Sequence, residues 1–247
     1  MKKVIGIVAE GPTDYMVLKA AIDRITGEEN RYLSLQPEQD MMGRYGNGWK
    51  GVWRWCRETA SINMLMQEVH PNINAIVIQM DGDVIRKERE PHCFCKSSVC
   101  EDKGMVFPLY CERVKNEQCP IDLPCKSHEN SIGGRVNHGV SILTAAIGDV
   151  DMTHVSIVIP CDSTDAWVVA AYDDIDDIEL LADPWKNVIS RKKYYHGIRV
   201  RNKKNTVTYK NFSDKVFDQW SKVTEKCSTA MLFEQEIKRI LMDNAGN

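Results

Sequence analysis

Absent from this sequence is any run approaching the roughly 18 consecutive apolar residues that a membrane-spanning helix requires, so no membrane role is expected. An export signal is absent too. Met1-Lys2-Lys3 leads into only six mostly apolar residues before Glu10, with no small-residue cleavage site, and the expected location is cytoplasmic. Neither GxxxxGKS nor GxxxxGKT occurs, which excludes a phosphate-loop nucleotide hydrolase. Positive charge is not in surplus: 32 Lys and Arg stand against 35 Asp and Glu, for a net charge of -3. Any affinity for nucleic acid must therefore come from how charge is distributed. Paired CxxC motifs are missing as well. The nine cysteines are odd in number and six of them crowd into one stretch, which suits reduced thiols holding a metal better than a secreted disulfide framework.

What is present reads as an α/β protein. The 247 residues carry 43% hydrophobic and 27% charged side chains, the composition of a globular chain with a sizeable core. Val4 to Ala9 is a continuous apolar run, as expected for a central parallel strand buried on both faces. Glu10-Gly11-Pro12 turns the chain, Thr13 is placed to cap a helix, and Met16, Val17, Ala20, Ala21 and Ile25 recur at helical spacing up to Gly27. Tyr32 to Leu35 reads as a weaker strand, Trp49 to His70 as a helix and Ala75 to Met80 as a second central strand. Val140 to Ile147 reads as a helix, Val155 to Ile159 as another buried strand, and Ser163 as the cap of a helix through Tyr172. Alternation of strands and helices predicts a mainly parallel sheet flanked by helices. The expected organisation is one domain over 1–247, with a Cys-rich insertion at 90–130 and, over 186–247, a basic segment followed by two closing amphipathic helices.

Chemistry is expected at the strand ends. The first central strand runs into Glu10 and, one helical turn on, Asp14; the second runs into Asp81-Gly82-Asp83. The C-terminal edge of an open α/β sheet is where ligands bind, and carboxylates meeting there suit a hard divalent cation with oxygen ligands. Strand alternation sends Asp81 and Asp83 to one side, with Gly82 between them leaving room for metal or phosphate. Such a site suits metal-assisted phosphodiester chemistry.

These residues resemble a known family. An apolar strand ending in Glu-Gly, a helix, then an apolar strand ending in Asp-x-Asp is similar to the Toprim domain of topoisomerases, bacterial primases and nucleases of the overcoming-lysogenization-defect family. Glu10-Gly11-Pro12-Thr13-Asp14 looks like the small stand-alone Toprim nucleases that include the RloB-like proteins. In those proteins a later strand leads into a helix bearing an acid close to an aromatic. Pro160-Cys161-Asp162-Ser163-Thr164-Asp165-Ala166-Trp167 occupies that place here, with Asp165 where Glu is usual. The resemblance covers roughly residues 1 to 175. It implies a Toprim-like fold and Mg²⁺ or Mn²⁺ held among Glu10, Asp14, Asp81, Asp83 and Asp165. Glu10, Asp81 and Asp83 would be the catalytic residues in hydrolysis of DNA or RNA by water. It also implies a role in defence against phage or mobile elements, beside a separate ABC-type ATPase.

Two further segments carry expectations. Cys93, Cys95, Cys100, Cys111, Cys119 and Cys125, flanked by His92 and His128, are candidate ligands of a structural Zn²⁺ that would organise a stretch too polar for its own core; free buried cysteines are the competing reading. From Lys186 to Lys215 ten Lys and Arg accompany a single acid, Asp214. Arg191, Lys192, Lys193, Arg199, Arg201, Lys203 and Lys204 are candidate phosphate contacts, with interleaved tyrosines able to stack on bases. Gly197 to Tyr209 reads as an exposed hairpin turning at Lys203-Lys204-Asn205, and a merely solvated hairpin is its bland alternative. Arg86 or Lys87 is placed to steady phosphate charge. The acidic run Asp173, Asp174, Asp176, Asp177 and Glu179 reads as solvated helix surface. The alternative function is a non-catalytic, zinc-containing nucleic-acid-binding or assembly module partnering an ATPase.

Overall fold

The computed structural model describes residues 2–37, 48–58, 62–86, 131–190 and 193–242. The zinc candidates from His92 to His128, together with Lys87, Arg191 and Lys192, lie outside the described residues.

Four parallel strands form the sheet: β1 (Val4–Val8), β2 (Arg31–Gln36), β3 (Ala75–Gln79) and β4 (Val155–Val158), in the order β2-β1-β3-β4. β1 and β3 are central, pairing Ile5 with Ala75 through Val8 with Ile78, and β3 is buried throughout. Side-chain alternation divides the core in two. Ile5, Ile7, Ala75 and Val77 face one layer, while Val8, Ile76 and Ile78 face the other.

The first layer holds α1 (Pro12–Thr26), α5 (Asp165–Tyr172), α6 (Trp185–Ser190) and the closing helices α7 (Thr206–Asp218), α8 (Trp220–Lys226) and α9 (Ser228–Leu241). At its centre the fully buried Trp167 stacks on Phe233 at 5.5 Å, meets Trp220 edge-on and donates its indole N–H to Thr229 Oγ1 at 3.1 Å. The second layer holds α2 (Trp49–Glu58), a short α3 (Ile62–Met64) that runs on as a π turn to Val69, and α4 (Ile132–Ile147). No helix among the described residues is long and apolar enough to cross a membrane.

Several local expectations are corrected. Gly11 is the N-cap of α1 and Pro12 its first residue, where a missing N–H costs nothing, so Thr13 lies inside the helix. Within the expected Trp49–His70 helix, α2 and α3 are described as helical, and from Leu65 to Val69 the turn is π rather than α. α5 is capped at Thr164 rather than Ser163, with no side-chain capping bond.

The basic segment folds differently too. Its hairpin is the short pair β5 (Tyr194–Tyr195) and β6 (Ile198–Arg199), turning at His196-Gly197. Both turn residues have positive φ, 46° and 82°, which a two-residue turn matching the strand twist demands. Lys203 and Lys204 instead lead into α7, capped by Asn205, whose side chain accepts from Thr208 N at 3.0 Å. Three closing helices replace the expected two.

The acidic run is only partly solvated. Asp173 is buried, accepting from Tyr195 Oη at 2.8 Å and pairing with His196 Nε2 at 2.7 Å, which fixes the hairpin. Glu179 is buried against the start of α9, where its carboxylate accepts from Ser228 N at 2.6 Å, Ser228 Oγ at 2.7 Å, Thr229 N at 3.0 Å and Thr229 Oγ1. A carboxylate there satisfies orphan amides and faces the positive end of the helix.

Candidate metal centre

The chain leaves β1 toward β2 on one side while β3 lies on the other, so the β1 and β3 ends flank the crevice where open α/β sheets bind ligands. Glu10 and Asp81 sit there. A closed set of hydrogen bonds ties them: Glu10 N donates to Gln79 Oε1 at 3.1 Å, Gln79 Nε2 donates to Asp81 Oδ1 at 2.7 Å, and Asp81 N donates to Glu10 Oε1 at 2.7 Å. Gly48 N, just before α2, donates to the Glu10 carbonyl at 2.9 Å.

Beyond the strands the β3–β4 pairing continues through the loop ends. Met80 N reaches Val158 O at 3.2 Å, Gly82 N reaches Pro160 O at 2.9 Å, and Asp83 N reaches Asp162 O at 2.8 Å. A Cβ at Gly82 would stand 2.8 Å from Pro160 O. The neighbouring backbone by itself thus requires the glycine, a reason beyond the room for metal or phosphate that was expected. Asp83 lies in a 3₁₀ turn, Gly82–Ile85, rather than on an extended continuation of the strand.

Two acids arrive from the helices. Asp14, in the first turn of α1, is buried and accepts from Thr164 Oγ1 at 2.5 Å, so the hydroxyl of the α5 cap residue serves the site. Asp165, also buried, accepts from Tyr209 Oη at Oδ1 and from Ser163 Oγ at Oδ2, 3.2 Å away. Its Oδ2 also pairs with Lys204 Nζ. Lys204 therefore departs from its expected place on an outer basic face, while Lys193, Arg199, Arg201 and Lys203 are exposed. Arg86 is engaged by Asp162 Oδ1 at 3.1 Å and by the Leu181 carbonyl at 3.3 Å.

Crowded, desolvated acids resist ionisation. Burial above all, then the charges of Asp14 and Asp83, push Glu10 up to about 8 against the opposing N–H groups of Asp81 and Trp49. Burial raises Asp81 well above the carboxylate range, with Asp14, Glu10 and Asp83 adding and Lys204 opposing. Asp14 is raised by burial too, restrained by the Thr164 hydroxyl and Lys204. Burial works against the Lys204 ammonium, yet Asp165, Asp81 and Asp14 hold its proton affinity above the ordinary lysine range. Burial and then Asp165 raise Tyr209, keeping its hydroxyl a donor.

Among the described residues, no three His, Cys, Asp or Glu side chains are grouped so as to hold a metal ion as they stand. In kind the donors fit: all are carboxylate oxygens at a sheet edge. Glu10, Asp14, Asp81 and Asp83 share one electrostatic neighbourhood, and Asp165 joins it through Lys204 and Asp14. Holding one ion in common requires their side chains to turn.

Sequence reasoning missed Gln79, Thr164, Tyr209 and the placement of Lys204. Gln79 alone left a trace, as the polar residue closing an otherwise apolar strand. No family model, no curated protein and no solved structure matches this chain.

Proposed function

We propose that this chain is a divalent-metal-dependent nuclease with a Toprim-like sheet, hydrolysing phosphodiester bonds in DNA or RNA. The observation that carries this reading is the meeting of acids from three strand ends, Glu10 after β1, Asp81 and Asp83 after β3 and Asp165 after β4, together with Asp14. The raised proton affinities of Glu10, Asp14 and Asp81 mark a place where added positive charge is favoured.

Glu10, Asp14, Asp81 and Asp83 are the residues that would hold Mg²⁺ or Mn²⁺. Such an ion polarises a phosphate oxygen and makes a bound water acidic. Glu10 Oε1 is fixed by Asp81 N, leaving Oε2, beside Gly48, to accept the proton of an attacking water. Gln79 keeps Glu10 and Asp81 in register across the two strands. The exposed Arg199, Arg201 and Lys203 supply phosphate contacts on the approach to the site. A structural Zn²⁺ held by the Cys-rich segment, a role in defence against phage or mobile elements, and a separate ABC-type ATPase partner belong to the same reading.

End-labelled single- and double-stranded DNA and RNA, incubated with Mg²⁺, Mn²⁺ or EDTA, provide the test. Cleavage that requires the metal and disappears in both Glu10→Gln and Asp81→Asn, with native circular dichroism retained, is expected. Undiminished cleavage in both variants, or none by the wild type with either metal, overturns the proposal. The latter outcome, with nucleic-acid binding retained, favours the non-catalytic binding module.

A further inference from the structure

Lys204 stands on a short connection that is anchored on both sides. Ahead of it, Trp185 Nε1 donates to the Asn202 carbonyl at 3.0 Å; behind it, Asn205 caps α7. The ammonium reaches across to Asp165 and lies 6.0 Å over the Trp185 ring. Asp165 is itself held from behind by Tyr209 and Ser163, so its carboxylate is presented to the lysine in a fixed pose.

The side chain of Lys204 is 35% exposed whereas that of Asp165 is 2% exposed. The lysine therefore bounds the acid cluster on its solvent side and can turn outward without disturbing the core. Desolvated carboxylates gathered in one place demand a cation, and in this arrangement the protein provides one of its own.

We infer that Lys204 is the resident counter-ion of the carboxylate site, and that a divalent cation and the Lys204–Asp165 ion pair compete for it. This rests on the metal-centre reading above. A metal arriving among Glu10, Asp14, Asp81 and Asp83 meets the like charge that Lys204 already places beside Asp81 and Asp14, so loading expels the ammonium. Once expelled, Lys204 joins Lys203 and Arg201 on the exposed side of the connection, where a nucleic-acid backbone would run. Metal occupancy is thereby linked to the charge offered to substrate, and linkage of this kind is reciprocal.

The test uses the full metal-free chain without nucleic acid. Calorimetric titration with MgCl₂ and MnCl₂ compares wild type, Lys204→Met, which keeps the stem but removes the charge, and Lys204→Arg, which keeps the charge. Lys204→Met is expected to bind metal roughly tenfold more tightly than wild type, while Lys204→Arg stays within about threefold. A folded Lys204→Met with unchanged or weaker affinity overturns the inference.

Independently of any substitution, acetylation of wild-type amines read by mass spectrometry should rise at Lys204 when Mg²⁺ is added, with Lys203 unchanged. Unaltered or reduced labelling of Lys204 at saturating metal overturns it as well. If neither wild type nor Lys204→Met takes up metal, the metal centre and this inference fall together. If wild type binds metal and Lys204→Met binds it no better, only the inference falls.

Discussion

Glu10 makes the stability of the metal-free protein depend on pH in a way that its neutral isostere should abolish. Its proton affinity is raised from 4.5 to about 8 in the folded chain, so the stabilisation it contributes is fully present below the unfolded value and lost as pH climbs through the folded one. Each tenfold change in proton affinity is worth about 1.4 kcal/mol. Across the window between the two values the unfolded chain ionises this group while the folded chain keeps it protonated, so the fold loses up to about 5 kcal/mol as pH rises. Glu10→Gln retains an acceptor for Asp81 N and cannot ionise. In urea melts with EDTA it should lie within about 1 kcal/mol of wild type at pH 5 and be more stable by about 4 kcal/mol at pH 8. Burial raises Asp14 and Asp81 in the same direction, so both proteins should weaken as pH rises, and the difference between them reads Glu10 together with its charge on Asp81. Mg²⁺ should stabilise wild type more at pH 8 than at pH 5. Equal stability of Glu10→Gln and wild type at pH 8 would refute the claim that this carboxyl is ionised at a cost inside a crowded acid cluster.

Three other expectations follow from particular contacts. Gly82→Ala forces a Cβ to within 2.8 Å of the Pro160 carbonyl, so it should cost about 1–3 kcal/mol in chemical denaturation and reduce metal affinity by shifting both flanking aspartates; a silent substitution would mean the loop relaxes freely. Glu179→Ala strips four hydrogen bonds from the buried start of α9 and should destabilise by about 3 kcal/mol, far more than a solvated acid in the same run such as Asp176→Ala, with circular dichroism melts as the measurement. Reversal of Arg199, Arg201 and Lys203 to Glu should weaken oligonucleotide binding and lower its salt slope by about one unit per lost phosphate contact; binding unchanged across a salt series would return the segment to ordinary solvated surface.

Which half of the site was legible follows from how each half is encoded. β1 and β3 are buried on both faces, so they appear in the sequence as unbroken apolar runs, and the first acids after them must fall at one sheet edge. Glu10 and Asp81 were readable for that reason. Asp83 was readable by position but not by cause, because Gly82 is demanded by the Pro160 carbonyl of the adjoining strand, and inter-strand approach leaves no mark in either segment alone.

Charge density misled at both ends of the scale. Asp173 and Glu179 sit among solvated acids yet are buried, one closing a hairpin and the other a helix start some fifty residues later. Lys203 and Lys204 are adjacent and identical, yet one is exposed and the other pairs with Asp165. Nothing local separates them. The difference comes from the start of α7, where Asn205 fixes the helix and Tyr209, one turn on, plants its hydroxyl on Asp165, carrying Lys204 to the same carboxylate. A strand reports its ends through its own composition, whereas a loop residue's address is set by the helix that follows it and by what that helix packs against. The acids of this site are therefore written in the strands, and their counter-charge only in the fold.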